Sequence, residues 1–381
     1  QTKTNENKMN DLRTPALVVY KHKVEANCER MLKLAKDHGV TLKPHFKTTK
    51  CLEVAIMQTG GTKCGMEVST LVEADLLAEN GFENVIYAYP ISPHKTPKCA
   101  ELSEKMKSFV VFVDNVAALK ALEQWKLKDN KNWQVLVEVD TGAGRSGVQI
   151  ESLDAVSLIK EVVKCGNVTF SGLYSHCGHS YKCKNAEEIK EVGKMATNKM
   201  LTLVDELKKQ GITCPSYGIG STPSCSKPAP EMSKLTEWHP GNYVLYDLMQ
   251  VKIGSCEIDD IASFVLTRVI GHYTKGEDVF LIIDCGWTAI SLHGVKDSEE
   301  TSGYGLIVDH PELKLAHMSQ EHGIVKSKDS TKPLDLSRYP VDSFLRIYPY
   351  HSCATCAMHP VFYVADQNDN IIDHWRPVKG W

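Results

Sequence analysis

The sequence lacks the apolar run that a membrane span requires. Nothing in its 381 residues approaches the roughly 18 consecutive apolar residues of a transmembrane helix. Residues 1–10 are polar and lack the apolar core of a signal peptide, so we expect a disordered arm there. The net charge is only -3, which gives no reason to expect nucleic acid or an anionic membrane as partner. We therefore expect a cytoplasmic protein.

Internal repeats, low-complexity linkers and a disulfide pattern are also missing. The 13 cysteines are an odd number scattered along a large chain, whereas disulfide scaffolds are short and secreted. We expect reduced thiols, most of them packed as small hydrophobic side chains. With 42% hydrophobic and 24% charged residues, the composition is that of an ordinary globular protein. The length suffices for one large domain and a smaller one.

Strand-like and helix-like segments alternate through the first two thirds of the chain. The predicted strands cover residues 40–46, 63–68, 84–89, 108–113, 133–139, 168–175, 216–220 and 241–245. The predicted helices cover residues 23–38, 49–58, 71–80, 96–107, 116–126, 153–164 and 186–209. Eight strands with helical crossovers predict an α/β protein with a (β/α)8 barrel. A doubly wound open sheet is the alternative, but its Gly-rich phosphate loop comes early, and here the Gly-Ser-Thr cluster comes late.

The pattern changes after about residue 251. Runs such as FVLTRVIGHYT and VFLIIDCGW are β-like and are separated by turns, without helical spacing. They predict a second, mostly antiparallel β domain. We expect an N-terminal arm and strand at 1–20 that joins the β domain, the barrel at 21–250 and the β domain at 251–381. Within the first segment, the strand is expected over Thr14 to Tyr20.

A lysine-rich segment, KPHFKTTK from Lys43 to Lys50, ends the first barrel strand. Lys43, His45 and Lys47 alternate along residues expected to be extended, so their side chains share one face. Desolvation makes a neutral lysine amine available for a Schiff base or proton transfer. Because barrel active sites lie at the C-terminal strand ends, Lys47 is the candidate. A surface lysine in a loop is the alternative reading, and Lys43 and Lys50 are the competitors.

Other candidate residues follow later strands. Small residues after the seventh strand let backbone amides approach a phosphate, and hydroxyl groups add donors. The candidate phosphate-binding residues are Gly220, Ser221, Thr222, Gly241, Asn242 and Tyr243, with core packing as the alternative for the tyrosine. Arg145 lies in the Gly-rich loop after the fifth strand, where pairing with Asp140 is the alternative. Tyr174 and His176 alternate on the sixth strand.

A separate metal-binding pattern occurs near the C-terminus. In an extended segment, His351 and Cys353 project on the same side, and zinc accepts this pair of nitrogen and sulfur ligands. Two protein ligands leave coordination positions open, as a catalytic site requires. A redox pair of Cys353 and Cys356 is an alternative, although no thioredoxin-like pattern surrounds it. The cluster at residues 176–179 is a rival zinc site, but adjacent residues on a strand face opposite ways.

The segment KPHFKTTK resembles the pyridoxal-phosphate lysine motif of the eukaryotic D-serine dehydratase and D-threonine aldolase family. Further segments of that family occur in its order and span most of the chain. They are VDTGAGRSGV at 139–148, GLYSHCGHSY at 172–181, GIGSTPS at 218–224, HPGNYVLYD at 239–247 and HSC at 351–353. Thr49 stands where a histidine is usual, which bears on a contact near the lysine and not on the lysine itself.

The resemblance implies the alanine-racemase-like fold type III, with pyridoxal phosphate bound to Lys47. It also implies Arg145 near the phenolic oxygen of the cofactor, Tyr174 and His176 facing its ring, and His45 either touching it or filling the barrel. A head-to-tail homodimer, with each active site completed by the partner's β domain, is implied as well.

The resemblance implies a pyridoxal-phosphate- and zinc-dependent dehydratase that converts D-serine to pyruvate and ammonia. Lys47 would remove the Cα proton, and zinc on His351 and Cys353 would bind the β-hydroxyl group as a Lewis acid. A D-threonine aldolase and a D-threo-3-hydroxyaspartate dehydratase are the alternatives. An amino-acid racemase needs a second base and no metal, and a non-enzymatic pyridoxal-phosphate carrier resembles a bare barrel.

Overall fold

Parallel strands and helices alternate in one part of the molecule, and antiparallel strands dominate the other. The computed structural model describes residues 8–294, 303–329, 331–332 and 334–381. Most of the predicted N-terminal arm, residues 1–7, lies outside the described residues. The chain forms two compact units. The first is Cys28–Tyr243, Ile253–Ser255 and Val378–Trp381, and the second is the described part of Gln1–Asn27, Val244–Lys252 and Cys256–Pro377.

The strands of the described residues are, in chain order, β1 (Ala16–Tyr20), β2 (Thr41–Leu42), β3 (Cys64–Val68), β4 (Glu83–Pro90), β5 (Phe109–Val113), β6 (Trp133–Asp140), β7 (Val148–Gln149), β8 (Val168–His176), β9 (Tyr217–Gly220), β10 (Glu237–Trp238), β11 (Ser263–Lys275), β12 (Asp278–Ile283), β13 (Gly305–Ile307), β14 (Leu313–Met318), β15 (Gly323–Ser327), β16 (Phe344–Pro349), β17 (Phe362–Ala365) and β18 (Ile371–Trp375). The α-helices are α1 (Lys21–Asp37), α2 (Leu52–Gln58), α3 (Leu71–Glu79), α4 (Thr96–Lys105), α5 (Val116–Gln124), α6 (Leu153–Lys164), α7 (Ala186–Lys209), α8 (Thr222–Ser226), α9 (Leu248–Lys252), α10 (Trp287–Ile290) and α11 (Ser352–Met358).

Eight parallel strands of the first unit form a barrel. Their hydrogen-bonded order is β2-β10-β9-β8-β6-β5-β4-β3, and the short β7 pairs with β6 outside this path. The gap between β2 and β3 is bridged just beyond β2. There the amide of Glu67 donates to the carbonyl of Pro44 at 2.9 Å, and His45 forms a parallel bridge with Glu67. The predicted (β/α)8 barrel is therefore confirmed as a nearly closed parallel barrel.

The barrel helices follow from their apolar spacing. Helix α6 buries Ala155, Leu158, Ile159 and Val162, which lie on one face at intervals of three and four residues. Helix α7 begins at the residue after Asn185, whose side chain accepts the amide of Glu188 at 2.9 Å. Both helices have the bounds that the sequence predicts.

The predicted eighth strand at 241–245 is wrong. The eighth strand is β10, which ends three residues before the predicted strand begins. Residues Asn242–Val244 form a 3-10 turn instead. Pro240 has no amide to donate to a ladder, and Gly241 gains little from a strand, so the apolar residues beyond them leave the sheet. Strand β10 pairs with β2 and β9 through two residues only.

The second unit contains a nine-stranded sheet. Seven strands follow the order β14-β15-β12-β11-β1-β17-β18, while β16 pairs with β11 and β13. All these pairs are antiparallel except β1 with β17. The prediction of a mostly antiparallel sheet that includes the strand before the first helix is confirmed. The predicted domain limits stay a prediction.

Two expectations from composition concern the chain as a whole. All 13 cysteines are free thiols, and ten of them are buried. None of the helices in the described ranges combines the length and the apolarity needed to cross a membrane.

Candidate active site

The three lysines of the KPHFKTTK segment have different surroundings. The ammonium group of Lys43 pairs with the buried carboxylate of Glu237. The ammonium group of Lys50 lies 2.9 Å from Oε1 of Glu73, a carboxylate that is fully buried. Lys47 is half-buried and lies just beyond the end of β2, at the C-terminal end of the barrel strands. The two competitors are thus each engaged by an internal carboxylate.

The predicted alternation of this segment along one extended strand is wrong for Lys47. The backbone is extended at His45, and Lys47 then lies in the 3-10 turn Phe46–Thr48. Nδ1 of His45 accepts the amide of Lys47 at 3.3 Å, so the histidine caps the turn that carries the lysine. Nε2 of His45 lies 3.2 Å from the hydroxyl of Ser69. His45 therefore positions the lysine from inside the barrel.

Several predicted residues lie close enough to His45 to influence its charge. Burial lowers the pKa of His45 well below its ordinary value, and the charges of Lys47, His176 and Arg145 lower it further. Burial, then Arg145 and Lys47, lower the pKa of His176 to about 3. Nδ1 of His176 lies 3.1 Å from the carbonyl oxygen of Gly220. Both histidines are therefore neutral at pH 7.

Tyr174 lies deeper in the barrel. Its ring centroid is 4.4 Å from that of Phe112 and 4.6 Å from that of His239. Burial raises the pKa of its hydroxyl well above the ordinary value. The side chain also packs against the core residues Ile86 and Leu136. The structure thus places Tyr174 next to the imidazole cluster, and its predicted contact with a cofactor ring stays a prediction.

The two predicted phosphate-binding segments are joined. Oγ1 of Thr222 accepts the amide of Tyr243 at 3.1 Å. Ser221 caps α8 by accepting the amide of Ser224 at 3.2 Å, and it shares a 2.8 Å hydrogen bond with the hydroxyl of Ser180. All these hydroxyl groups are buried. The structure therefore brings residues 220–222 and 241–243 into one polar layer.

Close approach explains the glycine at position 220. A Cβ atom there would lie 2.4 Å from Cβ and 2.5 Å from the carbonyl oxygen of His239. A Cβ atom at Gly241 would lie 3.0 Å from Cβ of His45. A side chain at Gly220 would therefore displace the backbone of the adjacent strand end.

The loop that carries Arg145 is held by its own acidic residue. Asp140 accepts the amides of residues 142–144 at 2.8–3.2 Å, so the carboxylate serves the loop backbone. The alternative in which Asp140 serves chiefly as a partner of Arg145 is therefore not favoured. The side chain of Arg145 is exposed. Its charge nevertheless acts on His45, Tyr174 and His176.

The sequence pattern did not point to His239, which lies at the centre of the cluster. Its imidazole is fully buried, with Nδ1 2.6 Å from Oε1 of Glu67 and Nε2 3.6 Å from Oε1 of Glu237. The histidine belongs to the HPGNYVLYD segment, but nothing in the sequence pairs it with glutamates so distant in the chain. Glu138, another buried carboxylate near Arg145, was also missed.

The candidate metal ligands belong to the second unit. His351 directly precedes α11, and Cys353 is its second residue, so the predicted extended arrangement is wrong for the cysteine. The two side chains still meet in a hydrogen bond. Nδ1 of His351 lies 3.2 Å from Oδ2 of Asp247, a buried carboxylate that also accepts the amide of Ser352 at 2.9 Å.

Because Asp247 engages Nδ1 of His351, Nε2 is the candidate ligand atom on the side of Cys353. Burial opposes a charge on His351, but Cys353 and Asp247 outweigh it and raise the pKa of His351 well above its ordinary value. Within the described ranges, no group of three or more histidine, cysteine, aspartate and glutamate side chains is arranged to hold a metal ion. The catalytic zinc site predicted at His351 and Cys353 stays a prediction.

The rival zinc cluster at 176–179 fits less well. His176 is engaged with the carbonyl of Gly220, and burial raises the pKa of the Cys177 thiol to about 12. A thiol that resists ionisation is a poor zinc ligand.

Comparison with known proteins agrees with this geometry. Residues 19–247 match the family model described as alanine racemase, N-terminal domain, and residues 262–365 match the model described as putative serine dehydratase domain. The first match spans more than half of the chain. The chain belongs to the alanine-racemase-like family of pyridoxal-phosphate enzymes that includes the D-serine dehydratases.

Relatives within this family match along nearly the whole chain. A D-serine dehydratase of Dictyostelium discoideum is 32% identical, over 99% of this chain and 99% of the relative. A D-threo-3-hydroxyaspartate dehydratase of Delftia sp. (strain HT23) is also 32% identical, over 97% of this chain and 98% of the relative. A solved cysteine-to-alanine mutant of D-threo-3-hydroxyaspartate dehydratase, in the metal-free form, superposes with a TM-score of 0.91 at 30% identity, covering 98% of this chain and 100% of that chain.

Proposed function

We propose that the protein is a pyridoxal-phosphate-dependent D-serine dehydratase, an ammonia-lyase that converts D-serine to pyruvate and ammonia. The observation that carries the proposal is the placement of Lys47 at the C-terminal ends of the barrel strands. There it lies within the electrostatic reach of His45, His176 and Arg145. Full-length similarity to D-serine dehydratases supports the same reaction.

The residues of the barrel fit pyridoxal phosphate. A primary amine, an arginine and a layer of buried hydroxyl groups match the aldehyde, the phenolic oxygen and the phosphate of that cofactor. Lys47 would hold the aldehyde carbon, and Arg145 would lie at the phenolic oxygen. The phosphate would lie at residues 220–222 and 241–243, with His45, Tyr174 and His176 around the ring. When bound, the cofactor supplies an electron sink for negative charge at Cα.

The chain's own groups then have distinct tasks. The amine of Lys47 takes the Cα proton of the substrate as general base. His45 holds the turn that carries this amine through the 3.3 Å hydrogen bond to the lysine amide. His45 and His176 are neutral at pH 7 because burial and nearby cations lower their pKa values, so they add no positive charge next to Lys47.

We further propose that His351 and Cys353 hold a zinc ion. Their nitrogen and sulfur atoms suit this metal, and Asp247 orients the imidazole. A metal there would supply a Lewis acid for the hydroxyl group that leaves from Cβ. The metal-free form of the related cysteine-to-alanine mutant supports a link between a cysteine and metal binding in that protein.

The remaining predictions belong to the same proposal. We propose domain limits of 1–20, 21–250 and 251–381, a cytoplasmic location and a homodimer. The 13 free thiols support a reducing compartment.

A second candidate is the D-threo-3-hydroxyaspartate dehydratase reaction, because a relative with that activity is as similar to this chain as the D-serine dehydratase. It uses the same elimination but needs a cation for the second carboxylate of the substrate. The D-threonine aldolase reaction would give glycine and an aldehyde instead.

The proposal is tested by incubating the holoenzyme with D-serine, L-serine, D-threonine and D-threo-3-hydroxyaspartate. Keto acid, ammonia and aldehyde are assayed in each case, with a Lys47→Ala variant as control. D-Serine should give pyruvate and ammonia, and L-serine should not react. Aldehyde from D-threonine would favour the aldolase, and a higher kcat/KM for the hydroxyaspartate would favour the second candidate.

A further inference from the structure

The loop that carries Arg145 is fixed to the barrel by acidic side chains. Asp140 accepts the amides of residues 142–144 at 2.8–3.2 Å. Oδ2 of Asp114, just after β5, accepts the amide of Gly147 at 3.3 Å. Both carboxylates hold the loop backbone. None of these hydrogen bonds determines the position of the guanidinium group of Arg145.

Glu138 differs from these two because it lies inside the barrel. It is 2% exposed and pairs in register with Tyr174 of β8, with which it interacts electrostatically. Oε1 accepts the hydroxyl of Ser146 at 2.8 Å. Oε2 is buried and has no hydrogen-bond partner among the described residues. One oxygen of this carboxylate therefore anchors the Arg145 loop, and the other is an unsatisfied acceptor, which is costly in a protein interior.

The charged groups with the largest effect on Glu138 are Arg145, Asp114 and Asp140, and the titratable hydroxyl of Tyr174 also interacts with it. Burial raises the pKa of Glu138 to about 7, against the hydrogen bond from Ser146 and the charge of Arg145, while Asp114 and Asp140 raise it further. Arg145 is the cation among these neighbours. A buried carboxylate beside two other carboxylates gains most from an arginine, since a guanidinium group offers paired donors.

We propose that Glu138 is a positioning residue for Arg145, whose guanidinium group pairs with Oε2 of Glu138 in the cofactor-bound enzyme. The inference rests on the proposed function, in which Arg145 contacts the phenolic oxygen of pyridoxal phosphate. Pairing satisfies the buried oxygen and fixes the side chain of Arg145, which is exposed in this structure. Glu138 thereby determines where the arginine meets the cofactor.

The unpaired carboxylate has a cost in stability that depends on pH. The folded pKa of about 7 lies above the ordinary value of 4.5, so the folded chain binds the additional proton. The stabilisation of the folded chain by this proton is fully present below pH 4.5 and is lost as the pH rises through about 7. Glu138→Gln cannot ionise and avoids the loss. Without cofactor, the Glu138→Gln variant should have a higher melting temperature than the wild type at about pH 8. The difference in melting temperature should shrink towards zero at about pH 5.

Cofactor binding tests the pairing itself. Pyridoxal phosphate is titrated into full-length chains stripped of cofactor, and its absorbance is followed between about pH 6 and about pH 8. The affinity ratio of wild type to Glu138→Gln should rise as Glu138 ionises, reaching about tenfold or more at the upper end, the scale of one charged hydrogen bond. The pH dependence of the bound cofactor's absorbance should shift as well.

Matched variants separate positioning from packing. Ser146→Ala removes the hydrogen bond to Oε1 but keeps the charge of Glu138. This variant should therefore retain the pH-dependent gain in cofactor affinity over Glu138→Gln. Glu151 is an exposed carboxylate that pairs with Lys199, so the control variant Glu151→Gln should bind the cofactor as the wild type does. If Glu138→Gln does not fold, Glu138→Asp retains a carboxylate and should bind more weakly with the pH dependence preserved.

The outcomes distinguish this inference from the proposed function. A wild-type chain that does not bind pyridoxal phosphate would overturn the proposed function. If the wild type binds and Glu138→Gln has the same affinity and pH profile, Glu138 does not position Arg145. A loss of affinity that is constant across the pH range would show a packing role only, and it would overturn the inference as well.

Discussion

The contacts of individual lysines explain which amine is available for chemistry. Lys43 and Lys50 each pair with a buried glutamate, so removing either proton would leave an uncompensated internal charge. Lys47 lies instead among an arginine and two neutral histidines. The ion pairs of Lys43 and Lys50 favour structural roles for those two lysines, and Lys47 stays the candidate for chemistry.

We predict that borohydride reduction of the holoenzyme fixes the pyridoxyl group on Lys47. Lys47→Ala should lower kcat for D-serine by at least about 10²-fold, the scale of a positioned proton transfer. Peptide mapping by mass spectrometry locates the label. Lys50→Ala is the control, because it should lower stability by stranding Glu73 and yet leave the label in place. A label on Lys43 or Lys50 would show the assignment to be wrong.

At the same scale, local sequence predicts some site residues and not others. Lys47 and the Gly-Ser-Thr segment lie in short motifs whose chemistry is local. His239 acquires its role from Glu67, with Nδ1 and Oε1 2.6 Å apart, and that contact joins residues far apart in the chain. Only closure of the barrel brings β3 and the end of β10 together, so no window of sequence contains the pair.

Among the elements, length decides how well the sequence predicts a boundary. Helices α6 and α7 have the predicted bounds, because many turns of regular apolar spacing agree. Strand β10 has two residues, too few to show a period, so the sequence predicts the eighth strand at the apolar residues 241–245 instead. The His351-x-Cys353 pattern was read as extended for a similar reason, since the start of a short helix has no periodic signal.

The prediction about the metal concerns Cys353, at the beginning of α11. We expect Cys353→Ala or chelation to abolish pyruvate formation from D-serine while leaving the absorbance of the bound cofactor unchanged. The reason is that hydroxide is a poor leaving group that needs a Lewis acid. β-Chloro-D-alanine carries a good leaving group and should need the metal far less. The measurement is kcat/KM for both substrates, together with zinc content.

Cys356 provides the control for this experiment, because it lies one helical turn after Cys353 and is buried. Cys356→Ala should retain zinc and activity on D-serine. Equal loss of both substrates in Cys353→Ala would indicate a structural metal. Loss of activity in Cys356→Ala with zinc retained would instead favour the redox pair.

For the molecule as a whole, the barrel places residues from distant segments at one end. Lys47 follows β2, Arg145 follows β6, His176 ends β8 and Ser221 follows β9, and parallel strands bring these C-terminal ends together. The alternation of seven predicted helices with the predicted strands was enough to predict this architecture, although the eighth strand was misplaced. The closure of the barrel between β2 and β3 could not be predicted from the sequence, because it depends on contacts of Pro44 and His45 with Glu67.

The last prediction concerns assembly. We expect a homodimer, because the family resemblance implies a head-to-tail pair in which the partner's β domain completes each active site. Analytical ultracentrifugation of the active holoenzyme should give twice the 42.4 kDa mass of one chain. In the proposed dimer the partner contributes to the site, so specific activity should fall on dilution in parallel with dissociation. A preparation that sediments as a monomer and keeps full activity on D-serine would contradict both parts of the prediction. A stable dimer whose activity does not depend on its assembly would contradict only the shared site.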